Sequence, residues 1–315
     1  MTYPDSSPAI ATFGLGKRYA AVEALSDLTL TVPRGCIYGF LGPNGAGKTT
    51  TIRMLLGFAR PTTGGASLLG HDCWRDGVAA RRDLGYLVPG EALYPDMSGA
   101  ALLDFAAELS GRRPILRHDV LDALELSRAA LGRRLGTYSK GMRQKLALTA
   151  AIQGDPDLLI LDEPSDGLDP LVQRAFEEIL RGLNRRGRTV FMSSHDLGEV
   201  ERLCEIVAVV RGGRLLAEER IDALKRRHRR SATVVFRHDA PSGLDRIPGV
   251  VRAVREGHRA DLAIEGDIGP LLRELAAYEI ADLLLPPPRL EDIFMVFYAS
   301  SEPAGERDAV EAAAR

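Results

Sequence analysis

The sequence has few cysteines, a single tryptophan, no imbalance of charge and no long apolar run. Three of these shortages close off a class of function. Its cysteines, Cys36, Cys73 and Cys204, stand far apart with no CxxC spacing. Such a set makes neither a zinc site nor a disulfide framework, and reads as reduced thiols in a cytoplasmic protein. Lys and Arg total 41 against 43 Asp and Glu, a formal net charge of −2. Bulk electrostatics does not hold so balanced a chain to nucleic acid, and no nucleic-acid partner is expected. The longest uncharged stretch, residues 35–47, is short and rich in glycine. A spanning helix needs about 18 or more apolar residues, so the chain is not expected to cross a membrane by itself. The opening Met-Thr-Tyr-Pro-Asp has no basic region followed by an apolar one, and no secretion signal is expected.

What is present is an ordinary globular composition over 315 residues, 45% hydrophobic and 27% charged. That length allows about two domains and a sizeable core. Residues 9–13 and 28–32 alternate in the manner of strands. Cys36-Ile37-Tyr38-Gly39-Phe40-Leu41 reads as a strand buried on both faces, followed by a glycine-rich loop and a helix beginning near Thr50. This order belongs to α/β architecture. Residues 100–155 are helical by pattern. Further strands are expected at 158–161, 189–192 and 206–210, with helices at 171–183 and 197–204. Composition shifts near residue 220. Beyond it lie a basic run at 225–230, short strands at 232–236 and 260–265, a helix at 269–279 and Pro286-Pro287-Pro288. The expected division is a domain over 1–220 with a helical part at about 90–155, a small α+β domain over 221–300, and a frayed tail at 301–315. The basic run, flanked by Glu218, Glu219 and Asp222, reads as a solvated face. His71 and Trp74 fall in an expected loop without an assigned role. Gly14-Leu15-Gly16 is too short for a dinucleotide fingerprint.

Four segments carry chemistry. Gly42-Pro43-Asn44-Gly45-Ala46-Gly47-Lys48-Thr49 fits GxxxxGK[ST], between an apolar strand and a helix. Its glycines let successive N–H groups point at one phosphate chain, and the helix adds its positive end. Lys48 supplies a cation for the β- and γ-phosphates, and the Thr49 hydroxyl is placed for Mg²⁺. Leu158-Leu159-Ile160-Leu161-Asp162-Glu163 ends a buried strand in two carboxylates, where ligands sit in such sheets. Asp162 would hold Mg²⁺ and Glu163 would polarise an attacking water. Ser139, in Tyr138-Ser139-Lys140-Gly141-Met142, opens a helix and offers donors to an anion or an ordinary N-cap. His195 follows a strand end on the same side of the sheet, which makes it a candidate γ-phosphate sensor.

Together these segments resemble the nucleotide-binding subunit of ABC transporters over roughly residues 9–220. The match runs through the phosphate loop from Gly42 to Thr50, the signature at Ser139 and Gly141, and the acidic strand end at Asp162 and Glu163. It continues in a D-loop at Gly167-Leu168-Asp169 and a switch histidine at His195. Tyr19 sits where the family stacks adenine. The resemblance implies a P-loop NTPase fold with a RecA-like core, a helical subdomain and an antiparallel β part. It also implies that ATP and Mg²⁺ are used, and that ATP is hydrolysed with Glu163, His195 and Lys48 as the catalytic set. Two copies, or one copy and a homologous subunit, would pair head to tail, so that Ser139 of one caps the nucleotide held by Lys48 of the other. Asp169 would belong to that nucleotide site.

The family's usual glutamine after Leu84-Gly85-Tyr86-Leu87 is replaced by Pro89, with Glu91 nearby. Lys140 and Met142 depart from the usual Leu-Ser-Gly-Gly-Gln signature. Leu290-Glu291-Asp292-Ile293-Phe294 is similar to the ending of bacterial exporter ATPases whose membrane subunit is a separate chain, which move drugs, antibiotics, lipids or polysaccharides. That points to the cytoplasmic face of the membrane, with residues of about 84–110 as the docking groove for the permease. A soluble ABC ATPase acting on ribosomes or DNA is the alternative. It fits poorly, because one phosphate loop is present and no sustained heptads separate Thr49 from Ser139. A small-molecule kinase would need an acceptor site in place of the signature.

Overall fold

In the computed structural model, residues 7–227 and 230–286 are described. The chain divides into a first unit, Met1–Glu219, and a second, Arg220–Arg315. The Pro288–Phe294 segment, the 301–315 tail, and the side chains of the basic run except Arg230 lie outside the described residues.

The first unit opens with β1 (Ile10–Tyr19) and β2 (Val22–Val32), paired antiparallel and both longer than their alternating stretches suggested. β3 (Ile37–Leu41) is buried at every position, as its apolar run on both faces demands. The phosphate loop leads into α1 (Lys48–Leu55). β4 (Thr63–Leu68) and β5 (His71–Asp72) then complete an antiparallel sheet of order β2-β1-β4-β5. β4 reads Thr-Gly-Gly-Ala-Ser-Leu, with Thr63 its only strong β-former. Its pairing with β1 makes it a strand, and it carries His71 out of the expected loop into β5.

α2 (Gly77–Ala80) and β6 (Leu84–Tyr86) lead to the helical part. Residues 100–155 are not one continuous run. They form α3 (Gly99–Ser110), α4 (Arg117–Ala123), α5 (Arg128–Leu131) and α6 (Lys140–Ile152). Gly111, at φ +65°, stops α3 in the left-handed conformation that glycine adopts most readily. Ser98, Ser127 and Ser139 cap three of these helices. Leu102, Leu103, Leu121, Leu135 and Leu146 give this part a core of its own. Buried Tyr138 ties it together by donating its hydroxyl to the Ala130 carbonyl at 2.6 Å.

β7 (Leu158–Asp162), α7 (Pro170–Arg185), β8 (Thr189–Ser194), α8 (Leu197–Leu203), β9 (Ile206–Arg211) and β10 (Arg214–Arg220) finish the unit. The second sheet has the order β10-β9-β3-β8-β7-β6. β9, β3, β8, β7 and β6 run parallel, so the carboxyl ends of β3, β7 and β8 open on one edge. That edge carries the phosphate loop, Asp162-Glu163 and Ser194-His195. Tyr38 stacks on Phe191 and Phe40 packs tilted against the same ring in the core.

The second unit begins with α9 (Ile221–Arg227). β11 (Arg230–Phe236), β12 (Val250–Glu256), β13 (Arg259–Ile264) and β14 (Ile280–Leu284) form an antiparallel sheet of order β12-β13-β11-β14. α10 (Gly269–Leu275), shorter than the expected 269–279, buries Leu271 and Leu275 in a core with Val234, Phe236 and Leu262.

Candidate active site

The phosphate loop's backbone demands glycine at two positions. Gly47 sits at φ +104°, and a Cβ there would lie 2.8 Å from the Ala24 carbonyl oxygen. A Cβ on Gly42 would lie 2.4 Å from the Val210 carbonyl oxygen. The loop therefore packs against β2 and β9 while α1 starts at Lys48, directing its unpaired N–H groups outward. Lys48 is only 6% exposed. Its Nζ donates to the Gly42 carbonyl at 2.6 Å and lies 3.0 Å from Glu163 Oε1. Thr49 is exposed at the helix start.

Tyr19, half exposed at the end of β1, lines a cavity of about 350 Å³ with Asn44, Lys48, Thr49, Thr50 and Glu163. Pro43, Gly45, Ala46 and Gly47 complete the cavity's loop side. Tyr19 and the sequence-predicted residues from Pro43 to Thr50 are thus brought to one place, whereas Gly42 and Asp162 do not line this cavity.

The end of β7 is wired to the end of β8. Asp162 faces Ser193 across the parallel pair. Fully buried Ser193 donates its hydroxyl to Asp162 Oδ1 at 2.5 Å and accepts from the Glu163 backbone N–H at 3.0 Å. Glu163 adopts φ +47°, a left-handed conformation unusual away from glycine, which swings its carboxylate toward the loop. Its other oxygen, Oε2, accepts from His195 Nδ1 at 2.7 Å. Lys48, Glu163 and His195 therefore form one chain, an ion pair followed by a hydrogen bond, with Lys48 and Glu163 in the wall of the cavity.

Ser139, Gly141 and Asp169 lie elsewhere. Ser139 is exposed at the start of α6, where its hydroxyl accepts from the Met142 N–H at 3.2 Å. A Cβ on Gly141 would lie 2.9 Å from the Gly167 carbonyl oxygen, so the signature segment packs closely on the loop after β7. Lys140 crosses the same junction to Asp166 at 2.7 Å. Asp169 caps α7, accepting from the N–H groups of Leu171 and Val172. The Val172 bond foremost, with the Lys145 charge and the Leu171 bond, holds its carboxyl below the usual range against the opposing cost of burial. None of these three residues lines the cavity around Lys48.

Pro89 opens a short 3-10 turn at Gly90–Ala92 and offers no donor. Glu91 lines a second cavity, of about 420 Å³, with Asp162, Glu163, Arg143 and Gln144. Sequence reasoning missed Ser193, Gln144, whose amide donates to the Pro164 carbonyl at 2.8 Å, and buried Glu199. The available signal was polarity inside otherwise apolar segments, above all the serine pair that closes β8.

The ABC transporter family profile matches residues 25–166. The bacitracin transport ATP-binding protein BcrA of Bacillus licheniformis is 37% identical over 226 residues, 71% of this chain and 74% of that one. The daunorubicin/doxorubicin resistance ATP-binding protein DrrA of Streptomyces peucetius is 38% identical over 238 residues, 74% and 72% of the two chains. Among solved structures, an ATP-binding subunit of an ABC transporter superposes with a TM-score of 0.64 at 30% identity, covering 69% of this chain and 92% of that one. The dimeric bacterial cassette MJ0796 superposes at 0.62 and 22% identity, covering 67% and 98%, a likeness of fold. These relatives favour transport over action on ribosomes or DNA. The chain belongs to the ABC transporter family, as a nucleotide-binding subunit whose ATPase activity powers transport.

Proposed function

We propose that the chain hydrolyses ATP for an exporter of antibiotics or another hydrophobic cargo, on the cytoplasmic face of the membrane against a permease made as a separate chain. The names of the relatives from Bacillus licheniformis and Streptomyces peucetius support that cargo class. Among the described residues no helix is long and apolar enough to cross a membrane.

The observation that carries the catalytic reading is the Lys48–Glu163–His195 chain. Without nucleotide, Glu163 neutralises buried Lys48. A triphosphate entering the loop competes for that ammonium, and the backbone N–H groups of the loop grip the same phosphates. The carboxylate so released faces the attacking water, orients it and accepts its proton. His195, exposed beside it, donates to the γ-phosphate. Tyr19 stacks on the adenine. Positioning and charge stabilisation supply most of the rate.

The donor set suits Mg²⁺. The Thr49 hydroxyl and the second Asp162 oxygen are hard ligands, few enough to leave the ion most of its water. Bound there, it would offset charge building up between the β- and γ-phosphates. Ser139 and Gly141 of a second copy cap the nucleotide from the opposite side, with Asp169 at the same junction. Their placement away from their own chain's cavity supports this pairing.

Steady-state hydrolysis of Mg²⁺-ATP tests the reading. Glu163→Gln should lose on the order of 100-fold or more in turnover and keep ATP binding. Unchanged turnover would remove Glu163 from its role.

A further inference from the structure

Lys17 and Tyr19 stand two positions apart at the end of β1. The Lys17 ammonium lies over the Tyr19 ring, with Nζ 4.9 Å from the ring centroid. At that separation the negative face of an aromatic ring attracts a cation. A second partner fixes the ammonium. Its Nζ donates to the Arg60 carbonyl at 2.7 Å, on the segment between α1 and β4, 43 positions along the chain. The place of the cation is therefore set by two distant segments packing together, and not by the ring alone. Tyr19 borders the cavity of about 350 Å³ beside the phosphate loop, whereas Lys17 does not line it. Lys17 reaches the cavity through the ring.

We propose that Lys17 is a positioning residue for nucleotide binding, covering one face of Tyr19 and leaving the other to the base. The inference rests on the adenine-stacking role proposed above for Tyr19. A stacking platform binds best when it is already oriented, because less freedom is lost on binding. The ammonium, pinned to a backbone carbonyl, holds the half-exposed ring in one orientation before the nucleotide arrives. It also draws π density toward itself, which favours an electron-rich purine on the opposite face. Lys17 touches neither base nor phosphates and acts through the ring. An arginine keeps both the cation and the donor at this position. A methionine keeps the length of the stem and neither function, and a glutamine keeps the donor alone.

Equilibrium binding of ADP with Mg²⁺ to the full chain tests this, since ADP carries the base and has no γ-phosphate to lose. Thermal melting checks folding. Lys17→Met should weaken ADP binding by about two- to fivefold, the scale of one cation–ring contact at an exposed site. Lys17→Arg should bind within about 1.5-fold of wild type, because its guanidinium also stacks on a ring. Tyr19→Ala should weaken binding roughly tenfold. Lys17→Met added to Tyr19→Ala should cost nothing further, since the lysine has lost the ring it acts through. If Lys17→Met melts too low to assay, Lys17→Gln takes its place in both backgrounds. Wild-type affinity in Lys17→Met, or an equal loss in Lys17→Arg, would overturn the proposal. So would a Lys17→Met loss that persists beside Tyr19→Ala, which is the mark of a charge acting on the phosphates directly. Wild-type binding in Lys17→Met with weak binding in Tyr19→Ala sinks this inference only. Wild-type binding in Tyr19→Ala sinks the stacking reading beneath it.

Discussion

Lys48 Nζ lies 3.0 Å from Glu163 Oε1, so the cation proposed to grip phosphate is paired with the carboxylate proposed to orient water. Lys48 is nearly buried and Glu163 largely so, which makes the pair more than a surface contact. On the proposed reading the nucleotide breaks it. Glu163→Gln removes the competing charge and should tighten ATP binding by roughly five- to tenfold, ~1 kcal/mol. Equilibrium titration with a fluorescent ATP analogue reads this, and weaker binding would contradict the competition.

Ser193 holds Asp162 and the Glu163 backbone at once. Ser193→Ala leaves a fully buried site with two broken bonds. Stability should fall by about 1–3 kcal/mol and turnover by roughly tenfold. Thermal melting and ATPase assays separate the two, and a variant that melts and turns over as wild type would show the bonds to be idle.

Gly47 combines a left-handed backbone with close packing on β2. Gly47→Ala places a Cβ 2.8 Å from the Ala24 carbonyl oxygen at φ +104°. Strain of about 1–3 kcal/mol should distort the loop and abolish measurable ATP binding, while far-UV circular dichroism stays native. Normal ATP affinity in this variant would contradict the loop's role.

The Asp169 carboxyl is held below its ordinary range, first by the Val172 N–H. A depressed folded pKa gives stability that is present above the unfolded value, about 3.9, and is lost as pH falls through the folded one. Wild type should therefore lose more melting temperature between pH 6 and pH 3 than Asp169→Asn, whose amide oxygen caps α7 at every pH. Identical pH profiles would contradict it.

What the sequence made legible was local. The strand–loop–helix around Lys48 and the strand end at Asp162-Glu163 need only neighbours in the chain. Their meeting followed from parallel strands sharing one carboxyl edge. What escaped was set by partners distant in sequence. Ser193 matters because β7 and β8 lie side by side, and no periodicity announces a serine's bond to the next strand. β4 was missed because Gly64-Gly65 carries no β signal and its register comes from β1. The break after α3 depended on Gly111 turning left-handed, which a glycine inside a helical pattern permits without requiring. Pro89 marked a departure from the family, and only the fold placed Glu91 beside Asp162 in one cavity.

The most direct measurement is the mass of the Glu163→Gln protein in saturating Mg²⁺-ATP, by light scattering with bound nucleotide counted. The account predicts a dimer holding two ATP molecules, returned to monomer by adding Ser139→Arg, which blocks the cap without touching Lys48. A protein that stays monomeric, or a dimer indifferent to Ser139→Arg, would contradict it.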